Sequence, residues 1–160
     1  MFLWFAGTSF LTVWLVFRSP AADYRMVMLG SVLPVAELAA GRPLVAHTLA
    51  GAVAVLALVM LTTRRRRLVQ RRWLGIPIGM FCHLVFDGVW ADRDLFWWPL
   101  FGASFPSDEL PEVRRGLLSL LMELAGVAMV VWMARRFQLR DRGRWEEFRR
   151  TGRLGRDLGG

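Results

Sequence analysis

Cysteine is almost absent from this chain. Cys82 stands alone inside an apolar run, so no disulfide framework forms within the chain and no CxxC pair exists. A Gly-rich phosphate loop and a G-x-S-x-G elbow are also missing, which removes the motif signatures of P-loop nucleotide hydrolases and of hydrolases with an elbow serine. Lysine is absent altogether: the 21 basic residues are all arginine. There is no internal repeat and no low-complexity domain, so solenoids and compositionally disordered chains are set aside.

Apolar residues, by contrast, are abundant and come in blocks. They make up 55% of the 160 residues, with a mean hydropathy of +0.38, against roughly 45–50% in soluble domains. Five apolar segments stand out, at residues 2–17, 26–40, 47–63, 73–90 and 116–134. This pattern predicts an all-α fold, a polytopic transmembrane helical bundle of five spans. Segments one to three are short for a full crossing, which implies tilt, local thinning or partial burial in the bundle. Residues 1–22 lack a basic n-region, and Ala21-Ala22 follows Pro20, so the first segment reads as a retained span rather than a cleaved leader.

The arginines set the orientation. Fifteen of them fall in residues 64–72 and 135–156, each stretch directly after an apolar run. Cytoplasmic loops carry such an excess, which puts the N-terminus outside and the C-terminus inside. Seventeen arginines are then cytoplasmic, and four (Arg42, Arg93, Arg114 and Arg115) are outside. The acidic loop of residues 91–113, with Asp92, Asp94, Asp108, Glu109 and Glu112, is extracytoplasmic. A net charge of +8 placed this way reads as topology plus attraction to anionic lipid head groups, not as nucleic-acid binding. The expected location is the inner (plasma) membrane, multi-pass. Residues 1–136 form the bundle and residues 137–160 a basic cytoplasmic tail. In that tail Trp145 and Phe148 are expected on an interfacial helix at head-group level, followed by a disordered Gly-rich end.

Ionisable residues inside the apolar segments are the functional candidates. His83 and Asp87 are four apart in the fourth segment, hence on one helix face, and such residues at membrane depth usually face a bundle interior, a cavity or one another. Counted by depth, Glu37, His47, His83, Asp87 and Glu123 all fall in the outer half of the membrane. They suit a metal or catalytic site, a set of helix-stapling hydrogen bonds, or a proton relay through His83, Asp87 and Glu123. Asp23 reads as a cap or turn residue, and the run 96–99 as an interfacial aromatic belt. Pro34 and Pro77 are potential kinks. Gly7, Gly30, Gly51, Gly75, Gly79 and Gly126 are points where helices can approach closely.

The stretch Gly79-Met80-Phe81-Cys82-His83-Leu84-Val85-Phe86-Asp87, followed by Trp98-Pro99, resembles the G-x-x-x-H-x-x-x-D … W-P signature of YdjM-like proteins, a family of membrane-bound metal-dependent hydrolases. His47-Thr48-Leu49 after Arg42 resembles that family's R-G-x-T-H-S-L element, and Leu29-Gly30-Ser31-Val32-Leu33-Pro34 its L-G-x-L-L-P element. Order and spacing match over roughly residues 23–99. After Pro34, where the family has Asp-x-Asp, this chain has Val35-Ala36-Glu37; Ala46 stands where the family has Thr, and an amino-terminal histidine is absent.

The resemblance implies a helical bundle whose His and Asp residues ligate a divalent metal, zinc, for phosphoester hydrolysis. His47, His83 and Asp87 would be the metal ligands, leaving a position for water, and Glu37 a fourth ligand or the general base. A site in the outer half of the bilayer implies a lipid-like substrate. The alternative is a non-catalytic scaffold or accessory subunit with a degenerate site. A homo-oligomer is left open.

Overall fold

The computed structural model describes residues 1–41, 43–102 and 116–154. Arg42, Arg114, Arg115, most of the acidic loop (Asp108, Glu109 and Glu112) and the Gly-rich end lie outside the described residues. The elements among those described are all helical, with no strand among them.

Helix α1 spans Phe2–Phe17, the first apolar segment as read from sequence, and stops at Arg18, whose left-handed backbone returns an N–H to the Trp14 carbonyl. Asp23 caps α2 (Tyr24–Val32) by accepting from the Arg25 amide, as a turn residue at an N-terminus should. The second segment is not one continuous span. Pro34 has no N–H to offer the preceding turn, and the chain tightens into a 3₁₀ helix at Leu33–Ala40. His47 does not open the third helix either. It ends a short 3₁₀ turn, Val45–His47, and Thr48 caps α3 (Leu49–Thr62) with its hydroxyl accepting from the Gly51 amide at 2.9 Å.

Arg67–Trp73 forms α4 and Gly75–Asp87 forms α5, with Leu74 between them in helical conformation. Pro77 sits in the first turn of α5, where its missing N–H is tolerated, so the break falls between α4 and α5 and not at mid-helix. Gly88, left-handed at φ 76°, ends α5. A single turn, α6, covers Arg93–Phe96, capped by Asp92. Then α7 runs Leu117–Arg136 and α8 Arg142–Thr151, the latter capped by Asp141.

Helix α5 is the hub, packing on α2, α3 and α1, while α7 lies along α1. Several close contacts require glycine, two of them between these packed helices. A Cβ on Gly79 would sit 2.0 Å from the Val27 carbonyl oxygen of α2, and one on Gly126 of α7 would sit 2.3 Å from the Trp4 nitrogen of α1. The remaining four glycines picked out as close-packing points also meet neighbours within 3.4 Å.

The tail is not a free interfacial helix. Phe137, Phe148 and Leu154 are buried in one cluster with Phe10, Tyr24 and Met133, so Phe148 faces the core while Trp145 stays half exposed. The Tyr24 amide donates to the Gly152 carbonyl at 2.9 Å, and the Arg25 guanidinium donates to the carbonyls of Arg149 and Arg150. These bonds clamp the end of α8 onto the turn before α2.

Among the described residues, α7 alone is both long and apolar enough to cross a membrane; α1 and α3 are apolar and shorter. At 16 and 14 residues, they reach about 24 and 21 Å at ~1.5 Å per residue, short of a hydrocarbon core of about 30 Å. The outward face of α7 is apolar and bare, with Leu117, Leu120, Leu121 and Leu124 exposed.

Candidate metal centre

Three elements build the site. His83 comes from the last turns of α5, with Asp87 one turn further on; His47 comes from the 3₁₀ turn ahead of α3; Ser31 comes from the end of α2. His47 and His83 are fully buried and Asp87 nearly so.

The hydrogen bonds orient the imidazoles. His83 Nδ1 lies 2.8 Å from the Ser31 backbone carbonyl, which only accepts, so Nδ1 carries the proton. His47 Nδ1 lies 2.7 Å from Glu37 Oε2, and an ionised carboxylate also only accepts. Both rings therefore turn Nε2 toward one point, where the two atoms stand 3.4 Å apart. A tetrahedral ion with metal–nitrogen bonds of about 2.0–2.1 Å holds two nitrogens about 3.3 Å apart. Asp87 completes the group: one ligand atom each from His47, His83 and Asp87 lie within 4.8 Å of one another, and the three could hold a metal ion. The Phe5 ring of α1 covers His83, with centroids 3.9 Å apart.

These are the three metal ligands expected from sequence. Glu37 lies beside the group rather than within it. Its carboxylate accepts from the amides of Leu44 at 2.6 Å and Ala46 at 2.7 Å as well as from His47. It ties together the turn that carries His47 and holds that ring in place, the arrangement that fixes the tautomer of metal-ligating histidines.

Glu123 is elsewhere. From α7 it accepts the amides of Leu3 at 3.1 Å and Trp4 at 3.3 Å, capping the start of α1. The first amides of a helix have no partner within it, and a carboxylate there also meets the positive end of the helix dipole. The five acidic and imidazole groups placed in the outer half thus divide into four that meet and one that staples α7 to α1. A relay through Glu123 has no geometric basis in these contacts.

Sequence reasoning missed Ser31 and Phe5. Ser31 acts through its carbonyl, which any residue supplies, so side-chain identity carries no signal. Gly79 reads from sequence as a packing point and as the first residue of the G-x-x-x-H-x-x-x-D stretch, and the close approach of α5 to α2 at this residue brings His83 within reach of that carbonyl.

Beside the site runs an apolar cavity of about 550 Å³ between α1, α3 and α5. Its lining includes Cys82 and Phe86, the immediate neighbours of His83 and Asp87, and Leu49, two residues from His47.

Comparison of the chain with family models, with curated proteins and with solved structures finds no match.

Proposed function

We propose that this chain is a multi-pass protein of the inner (plasma) membrane that hydrolyses a phosphoester of a lipid-like substrate at a zinc site in the outer half of the bilayer. The observation that carries this reading is the pair of facing Nε2 atoms, 3.4 Å apart, with Asp87 in the same buried group. Two ring nitrogens that face each other at this distance, each ring held through its other nitrogen, match the spacing of two ligands on one cation. His47, His83 and Asp87 would hold the ion. Zinc bound there supplies Lewis-acid polarisation of a phosphoryl oxygen and acidifies water to a pKa of about 7.

The chain's own residues do the rest. Glu37 and the Ser31 carbonyl keep the imidazoles aimed, and Phe5 covers one side of the site. The apolar cavity along α5 suits the hydrocarbon part of a lipid-like substrate, with its phosphoester brought to the ligand group. Support for membrane insertion comes from α7 and from the apolar surfaces left bare on α1 and α3. The five-span topology, with N-terminus outside and C-terminus inside, rests on the arginine distribution, whose clusters also attract anionic lipids. The resemblance to YdjM-like proteins points the same way.

One observation favours a second, non-catalytic reading. Glu37 and His47 at 2.7 Å also suit an ion pair with a charged imidazole, which would donate to His83 and link α2, α3 and α5 with no metal. That is a membrane scaffold or accessory subunit.

The experiment is chromatographic detection of the cleaved products, the alcohol and the phosphomonoester from phospholipids, or the alcohol and phosphate from polyprenyl monophosphates, formed by the purified, zinc-supplied protein beside His83→Ala. Cleavage by the parent and none by the variant supports the hydrolase. No cleavage by a zinc-loaded parent leaves the scaffold reading.

A further inference from the structure

A second cluster of charge lies beyond the opposite end of α5, fifteen residues back along the chain from Asp87. There α4 and the end of α8, far apart in sequence, border a cleft of about 240 Å³. Arg71 and Arg72 enter from α4, Arg150 and Arg153 from α8 and the residues after it. Asp23 also lines the cleft, but its carboxylate is already engaged: Arg25 grips both oxygens at 3.1 and 2.9 Å, and Arg72 lies 3.2 Å away. The Thr151 hydroxyl donates to the Glu147 carbonyl. Among the described residues, the guanidinium groups of Arg71, Arg150 and Arg153 have no ion pair or hydrogen bond of their own.

Arginines confined around one concave site raise a local positive potential that an anion relieves. Their planar, forked N–H donors match the oxygens of a phosphate in bidentate fashion. The clamp of Arg25 and Tyr24 on the carbonyls of residues 149, 150 and 152 holds the α8 side on the turn before α2, and the ion pair of Arg72 with Asp23 at 3.2 Å joins the α4 side to that same turn. The arrangement is therefore preorganised, unlike a diffuse basic surface. We infer that this cleft binds a phosphate group, as a free ion or as the head group of an anionic lipid in the inner leaflet. The inference is independent of the metal group.

The test uses the full chain purified in uncharged detergent and titrated calorimetrically with two probes: inorganic phosphate, and micelles doped with phosphatidylglycerol against micelles doped with phosphatidylcholine. Arg71→Gln/Arg153→Gln removes two cleft charges. Arg64→Gln/Arg65→Gln removes two charges from the exposed loop outside the cleft. Loss of charge-assisted hydrogen bonds is expected to weaken binding about tenfold or more in the cleft pair, with the loop pair near the parent. Cleft-dependent binding of inorganic phosphate identifies a free-ion site. Cleft-dependent binding of phosphatidylglycerol alone identifies a head-group site. Equal losses in both pairs, or no binding of either probe by the parent, overturns the inference. Arg71→Lys/Arg153→Lys keeps the charge without the fork and should fall between parent and Gln pair, which keeps the test decisive if the Gln pair misfolds.

Discussion

His47 and His83 point their Nε2 atoms at each other across 3.4 Å, each ring anchored through its other nitrogen: His47 to the Glu37 carboxylate, His83 to the Ser31 carbonyl. Anchoring from behind fixes the orientation of both rings, as the outer partners of metal-ligating histidines do. It also assigns Glu37 a task that differs from ligation.

If Glu37 orients His47, Glu37→Gln should weaken metal binding about 10–100-fold, the usual effect of altering such an outer partner, while leaving all three ligands in place. Competition with a chelator of known affinity reads this directly. Unchanged affinity would mean that the carboxylate serves only the Val45–His47 turn.

Glu123→Ala should leave metal content as in the parent and lower stability by about 1 kcal/mol, as expected for removing a helix cap. Thermal unfolding in detergent measures the second quantity and metal analysis the first. Loss of metal in this variant would place Glu123 functionally at the site, against its bonds to Leu3 and Trp4.

Gly79→Ala should be among the most damaging small substitutions in the chain, because the added Cβ meets backbone of α2 at 2.0 Å. Overpacking of this kind costs about 1–3 kcal/mol, and separating α2 from α5 also pulls Ser31 away from His83. Both melting temperature and metal content are expected to fall. Gly102→Ala, with nothing within 4 Å, is the matched control and should change neither.

The legible parts of this molecule were those that local chemistry writes into the sequence. The limits of α1 follow from an apolar run closed by Arg18-Ser19-Pro20, and the candidate group from two ionisable residues one helical turn apart plus the second of only two histidines. The break after Val32 was half visible, as Pro34, but its result, a 3₁₀ segment that delivers Glu37 to His47, depends on tertiary contacts. Phe148 looked interfacial because arginines and acids surround it in sequence; its burial depends on Tyr24 and Phe137 arriving from other helices. The role of Glu123 is hidden in the sequence for a similar reason. Its partners are backbone amides at the other end of the chain, and amides have no sequence signature.

The arginine distribution predicts five spans with the C-terminus inside. A reporter fused after Gly160 should be active only when it is of the kind that works in the cytoplasm. Activity of a periplasmic-type reporter at that position would invert the whole topology and move the metal group to the inner half of the membrane.

Metal content per chain, in the parent and in His83→Ala and Asp87→Ala, tests the central claim most directly. The parent should carry one divalent metal, and either substitution should remove most of it while the bundle still inserts and purifies, since a helix–helix hydrogen bond in a membrane is worth only about 0.6–2 kcal/mol. A metal-free parent, with variants that lose thermal stability instead, would contradict the account and leave His47, His83 and Asp87 as a staple between helices.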